Sequence, residues 1–245
     1  MDDLDKHVRH HDEDRWLASR FAPAPVRARL VAVYALNHEI ARTAETVSQA
    51  AIGDIRLAWW REALAEIAEG KPARAHPMLQ ALARNDARSP AWAPLIEARG
   101  KDLDAAPFAT WSELDDYVDA TAGGVMRIGL AACGLATEAH EAFVRAAAQA
   151  WGNVGLLRAA PYWRGRGRAL LPREGGTLEE LTARAGAAVR ETRALSASLP
   201  TAAFPAVGYV ALASAYLRTL KRRGGERALI AKQLKLIGAA ATGHW

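Results

Sequence analysis

The sequence predicts an all-α fold, and three observations carry that prediction. Alanine, the best helix former, dominates the composition. Clusters of β-branched residues and hairpin signals such as Asn-Gly are missing. Apolar residues recur instead at the three-and-four spacing that lines one face of a helix.

The elements follow in chain order. From Pro25, a residue suited to a first helical turn, Leu30, Val33, Tyr34, Leu36 and Ile40 mark a long helix. Ile55, Leu57, Trp59, Trp60, Leu64 and Ile67 define a second, closed by Gly70 and Pro72. Short helices are expected over Pro77–Leu82 and Pro90–Ile96. Ser112 reads as the N-cap of a run from Trp111 to Cys133, with Glu113 and Asp115 favouring the helix dipole. Thr137 reads as the cap of a helix reaching about Arg158. Thr177-x-x-Glu180 reads as a capping box for a helix that ends before Pro200. Two last helices are expected over Ala206–Lys221 and Glu226–Ala240. Between the helix reaching Arg158 and the one that Thr177 opens, Pro161 to Gly176 is rich in glycine and carries Arg164, Arg166 and Arg168, so a surface loop is expected there.

No repeat, low-complexity tract or Gly/Ser linker divides the 245 residues, and residues 1–245 read as a single domain of eight or nine helices. Hydrophobic residues make up 51% and charged ones 24%, a balance that excludes a disordered chain. The net charge of +5 permits an anionic partner without demanding one, and no nucleic-acid partner is expected. The single Cys133 excludes a disulfide framework and a cysteine zinc site. Met1 to Arg20 is charged throughout and lacks the apolar stretch of a secretory signal. The longest uncharged run, between Arg193 and Arg218, holds Pro200, Pro205 and Gly208 and makes a poor membrane span. The expected location is the cytoplasm, with peripheral contact at the inner membrane left open.

The residues taken alone offer little catalytic hardware. His10 and His11 stand beside Asp12 and Asp14 in a grouping that fits a metal, but a solvated charged terminus explains it more simply. Asp115 and Asp119 share a helix face at the spacing of some magnesium sites, and the helix dipole is the simpler account. His38, Arg42 and Glu45 fall close to one stripe of the helix from Pro25, which predicts a cleft-lining polar cluster or a polar helix interface. Leu229, Ile230, Leu234, Leu236 and Ile237, with Lys232 and Lys235, read as an amphipathic basic helix suited to a membrane surface or to the bundle. No phosphate-cradling glycine loop, nucleophile elbow or zinc spacing is present.

Five segments, in order, resemble blocks of the squalene and phytoene synthase family. Asp14-Arg-Trp-Leu-Ala-Ser-Arg-Phe-Ala-Pro23 is similar to its opening segment, and Leu30-Val-Ala-Val-Tyr-Ala-Leu36 to the start of its first aspartate-rich helix. Trp59-Trp60-Arg61-Glu62 resembles its Trp-Trp-Arg signature, and Tyr117-Val-Asp-Ala-Thr-Ala-Gly-Gly124 its tyrosine and Ala-Gly segment. Gly167-Arg-Ala-Leu-Leu-Pro172 resembles the loop after its second aspartate motif. The resemblance implies an isoprenoid-synthase-like helical bundle with a central cavity. Active members join two prenyl diphosphates head to head. Two Asp-x-x-x-Asp motifs on facing helices hold the magnesium ions that neutralise and ionise the diphosphate.

Carried onto this chain, the first motif falls on Ala41, Arg42 and Glu45, and the second on Ala159 and Trp163. Nearby polar positions fall on Gly152 and Gly155, the arginine before the first motif on His38, and a phosphate-contacting serine on Asp14. The stretches Asn37-His-Glu-Ile-Ala-Arg42 and Gly155-Leu-Leu-Arg158 are similar to a degenerate branch of the family. That branch includes mitochondrial assembly factors for respiratory complex I and their bacterial counterparts. The resemblance therefore implies a non-catalytic binding or assembly factor with no catalytic residue, metal or cofactor. Its vestigial cavity would be lined by His11, Tyr34, His38, Arg42, Glu45, Tyr117, Gly123 and Arg158. The partners implied are an apolar or prenyl ligand, a respiratory complex subunit and a membrane surface. The alternative is a prenyltransferase whose altered magnesium site uses Glu45, Glu39 and Asp119.

Overall fold

The computed structural model describes residues 3–167, 169–221 and 228–243, and among them every regular element is helical. The described residues gather into two compact units. The first is drawn from Met1–Asp104, Gly124–Thr137 and Ala202–Val207. The second is drawn from Ala105–Gly123, Glu138–Thr201 and Gly208–Trp245.

The first unit is built on α3 (Ala24–Ala41), which has Pro25 in its first turn. From Leu30 to Asn37 every side chain is buried, so this helix is covered all round rather than along one stripe. Two short helices, α1 (Asp3–His11) and α2 (Glu13–Ser19), lie against it. Asp12 caps α2 by accepting from the Arg15 amide, and its carboxylate also pairs with the Arg15 guanidinium at 2.7 Å. The N-terminal segment, read from sequence as a solvated charged stretch, is therefore ordered helix. Beyond α3 come the one-turn α4 (Thr43–Thr46), α5 (Ala50–Ala68), α6 (Pro77–Arg84) and α7 (Trp92–Arg99). Gly70 ends α5's turn with a left-handed φ of 80°. Two later segments return to this unit: α9 (Gly124–Ala132) and the short α12 (Phe204–Val207). They touch closely at Gly129, where a Cβ would meet that of Ala206 at 3.2 Å.

The second unit is built on α10 (Glu141–Gly165) packed along α11 (Leu178–Ser196). The contact face of α10 is small and apolar, with Phe143, Val144, Ala146, Ala147, Ala150 and Val154 buried, and α11 answers with Leu181, Ala185 and Ala188. Against them lie α8 (Trp111–Val118) and α13 (Ala213–Lys221), and α14 (Leu229–Thr242) packs on the 3-10 turn Gly208–Leu212. Thr177 caps α11 by accepting from the Glu180 amide at 3.0 Å, as its capping pattern predicts.

Several boundaries differ from expectation. The cap of α8 is Thr110, which accepts from the Glu113 amide at 3.2 Å, so Ser112 lies within the first turn. The run to Cys133 is not one helix: a π-helical stretch, Asp119–Gly123, separates α8 from α9. The cap residue of α10 is His140, not Thr137. The helix then continues through Pro161 to Gly165, where a loop was expected. A proline at that point removes one donor, the one Leu157's carbonyl would have accepted, and that loss ends the helix only a turn later. The expected helix over Ala206–Lys221 is broken by a 3-10 turn, Gly208–Leu212, and the expected start at Glu226 lies outside the described residues. No helix among the described residues is long and apolar enough to cross a membrane.

Candidate functional site

The polar cluster read from the stripe of α3 exists, with altered membership. His38, Glu39 and Arg42 stand together at the end of the helix, and α1 brings His7 and His11 to them. His7 Nε2 lies 3.1 Å from His38 Nδ1, close enough to share a proton. The His11 ring stacks on His38 at 4.4 Å between centroids and 17° between planes, and His7 lies 4.6 Å from His11. His10 meets the edge of His11 at 4.6 Å.

Among the described residues Glu39 is the acid that faces this group, and it is shared. Its carboxylate accepts from Arg42 Nη1 at 3.3 Å, faces Arg56 Nη2 of α5 at 3.6 Å and lies 3.9 Å from His38 Nδ1. Its side chain is 14% exposed, so these contacts are screened less than surface pairs. Burial holds His7 and His11 below the usual imidazole value; repulsion from neighbouring histidines and Arg42 adds to it. His38 is pushed to about 4, first by burial, then by His11 and His7, with Glu39 opposing. At neutral pH these three rings are uncharged. Within the first unit, the donor atoms of His7, His38 and Glu39 all lie within 4.8 Å of one another.

Glu45 does not join them. The helix breaks at Arg42, whose φ of −82° and ψ of 3° are no longer helical, so the stripe stops there and Glu45 is exposed on α4. Arg42 therefore meets Glu39, one turn earlier. His7 and Arg56 were missed by sequence reasoning. The four-residue spacing of His7 and His11, which puts both on one helix face, was the available signal for the first. The second required knowing that α5 passes this point.

The remaining expected residues have other settings. Tyr34 is fully buried, and its hydroxyl donates to the Ala206 carbonyl at 3.1 Å. Asp14 is buried in α2. In the second unit, Tyr117 is half-buried with its ring 5.2 Å from Phe108, and Gly123 is buried in the π-helical stretch. Arg158 is exposed and lays its guanidinium over the Tyr216 ring at 4.2 Å. Asp115 pairs with Arg184, and Gln149 donates to the Asp115 carbonyl oxygen at 2.9 Å. A Cβ at Gly152 would run into the Val118 side chain, so no larger residue fits there unchanged. Of the three loop arginines, Arg166 stacks over Tyr162 at 4.0 Å, Arg164 is exposed, and Arg168 lies outside the described residues.

The amphipathic reading of α14 is split by its packing. Lys232, Leu236 and Ala239 face inward, whereas Ile230, Leu234 and Ile237 are 69%, 65% and 55% exposed along one stripe. Lys235 beside them has its pKa lowered by burial and by Arg193 and Arg218, so cations gather along this helix. A separate cavity of about 280 Å³ in the first unit is lined by Asp5, Arg20, Arg27, Val31, Arg84 and Asn85 and holds none of the expected residues.

The sequence model of the family described as Squalene/phytoene synthase matches residues 8–177. Among individual relatives, the mouse protein "NADH dehydrogenase (ubiquinone) complex I, assembly factor 6" is 24% identical over 239 residues. That match covers 88% of this chain and 72% of the mouse protein. Its bovine counterpart is 27% identical over 168 residues, 67% of this chain and 50% of that protein. The chain thus spans about half the length of the bovine relative. Among solved structures, squalene synthase HpnC from Alicyclobacillus acidocaldarius is 23% identical with a TM-score of 0.75, covering 90% of this chain and 92% of its own. A dehydrosqualene synthase solved in complex with a ligand is 15% identical with a TM-score of 0.76, covering 97% and 94%. These likenesses show the fold, an isoprenoid-synthase-like helical bundle.

Proposed function

The chain belongs to the squalene/phytoene synthase family, and from that premise we propose that it transfers no prenyl group and acts as a binding or assembly factor for respiratory complex I. The observation that carries this reading is the state of charge at the end of α3. Where the resemblance puts the first metal motif, Arg42 and Arg56 face Glu39, and Glu45 is turned to solvent. Each magnesium ion on a diphosphate takes one or two carboxylates besides phosphate and water, so the several ions of an active member need a cluster of acids, and in neither unit do three acids of the described residues converge. Ala41, Ala159 and Trp163 have no ligating atom at all. Losing one well-placed stabiliser of developing charge costs roughly 10²–10³ in rate, and losing most of them leaves no useful ionisation of a diphosphate. The relatives named as complex I assembly factor 6 support the assembly role.

Incubation of the purified chain with magnesium and farnesyl or geranylgeranyl diphosphate tests the first half. No pyrophosphate release above a protein-free control is expected, and turnover to a condensed hydrocarbon overturns the reading in favour of a prenyltransferase with an altered metal site. Deleting the gene tests the second half: assembled complex I should fall, and an unchanged level argues against it.

The exposed stripe of α14 adds a place of work. Ile230, Leu234 and Ile237, on a helix whose Lys235 has Arg193 and Arg218 near it, fit the headgroup region of an anionic bilayer, where apolar burial and charge attraction add. A prenyl or other apolar ligand remains part of the proposal, to be read from the lipids that copurify.

A further inference from the structure

We propose that His7, His38 and Glu39 form a site for a single divalent first-row transition ion, of which zinc is the best fit, with water as the fourth ligand. The site lies outside the positions the resemblance assigns to magnesium, and it does not depend on the assembly reading. Its donors come from two helices and are 31 residues apart for the histidine pair, so their convergence is a product of the fold rather than of local sequence.

The geometry fits a metal of this kind. Zinc–nitrogen bonds of about 2.0–2.1 Å at tetrahedral angles place two ligating nitrogens about 3.3 Å apart. His7 Nε2 and His38 Nδ1 are 3.1 Å apart. The carboxylate stands farther off, within 4.8 Å, and closes by rotating one oxygen toward the rings while the other stays with Arg56. Arg56 then orients the ligating carboxylate from outside, a common arrangement around bound metals. Two imidazoles and one carboxylate are donors that zinc, cobalt and nickel accept and that magnesium and calcium, which take oxygen, do not favour. The fourth corner falls to solvent beside the exposed His11, whose ring lies flat on His38 and fixes that ring's plane.

One feature opposes the ion. Arg42 holds Glu39 at 3.3 Å and places a positive charge beside the metal. This predicts a site of moderate affinity that tightens when Arg42 is removed, which a purely structural histidine stack would not do.

The test uses the full chain without an affinity tag, stripped with chelator, and titrated with zinc by calorimetry and with cobalt by visible absorption. One equivalent is expected, with the intense cobalt bands of a four-coordinate site. His38→Ala and Glu39→Gln should each weaken binding at least about tenfold, while Arg42→Ala should tighten it and His10→Ala leave it unchanged. Melting curves of each variant without metal separate lost binding from lost folding. Binding that survives both His38→Ala and Glu39→Gln in folded protein, or no saturable binding to the parent chain, overturns the proposal. An affinity unmoved by Arg42→Ala counts against the carboxylate as a ligand.

Discussion

The end of α3 and the second half of α10, where the resemblance puts the two acidic motifs, are made of different materials. At the end of α3 the side chains are polar and tied by charge: Glu39 between Arg42 and Arg56, His38 between His7 and His11. Along α10 they are small or aromatic: Gly152 against Val118, Trp163 beside Tyr162, Arg158 flat on Tyr216. In the first region charge decides which side chains stand together. In the second, ring contacts and the close approach of Gly152 to Val118 decide it.

The largest effect should come from the steric region. Gly152→Gln places there the glutamine that the resemblance implies for active members, and it drives a side chain into Val118, which is 1% exposed. Overpacking of this kind costs about 3 kcal/mol, or a fall in melting temperature of roughly 9 °C for a chain of this size. Ala41→Asp, the matching substitution on α3, sits at a partly exposed helix end and should stay within about 0.5 kcal/mol. Equal effects of the two would end the contrast.

Helical periodicity made α3, α5 and the cap of α11 legible in the sequence because each depends on neighbours within a few residues. Leu30 to Ile40 had to be a helix, and Thr177 had to find the Glu180 amide. Capping at α8 went to Thr110 rather than Ser112 because either hydroxyl fits the pattern and only the backbone entry angle chooses. The site was half visible. His38 and Arg42 announced themselves as polar residues on an apolar helix, but His7 and Arg56 reach them from α1 and α5 by tertiary packing that no local spacing records. Glu45 was misplaced because the break at Arg42 depends on where the chain must go next.

A second prediction sharpens the charged side of the comparison through pH. His38 titrates at about 4 rather than 6.5, first because it is buried and then because His11 and His7 face it from α1 and Arg42 from its own helix, with Glu39 opposing. Well above pH 6.5 neither folded nor unfolded chains protonate it, and its full contribution is present. As pH falls toward 4 the unfolded chain takes up a proton that the folded one refuses, so stability drops, on the order of 2 kcal/mol after allowing for partial exposure. Burial of His7 and His11 adds in the same direction. Melting of metal-free protein between pH 7 and pH 4.5 should show the fall, and His38→Gln should flatten it. A flat parent profile would mean the rings are solvated.

Removing the carboxylate at the centre of the same group has a smaller expected effect. Glu39→Gln leaves Arg42 and Arg56 facing an amide, at a cost of about 1 kcal/mol at pH 7. It also removes a charge that raises His38, so the acid-side loss should begin at the same pH, set by the unfolded chain, but continue to lower pH and end larger. Chemical denaturation at pH 7 and pH 4 reads both parts; a variant that differs equally from the parent at the two values would show that Glu39 acts by packing alone.

The smallest effect on stability should come from the exposed stripe of α14, which neither ion pairs nor close packing hold. Leu234 is 65% exposed while its neighbour Leu236 is 1% exposed, so Leu234→Glu should move stability by no more than about 0.5 kcal/mol. Its effect on membrane attachment should be large by comparison, because it sets an anion in the apolar stripe opposite anionic headgroups. Sedimentation with vesicles containing phosphatidylserine should recover the parent chain at low salt and much less of it at high salt, as screening weakens the pull of Lys235, Arg193 and Arg218. Leu234→Glu should remain in the supernatant under both conditions with an unchanged melting temperature. If it sediments like the parent, the stripe faces something other than a bilayer, and a protein surface of the respiratory complex becomes the partner to test against α14.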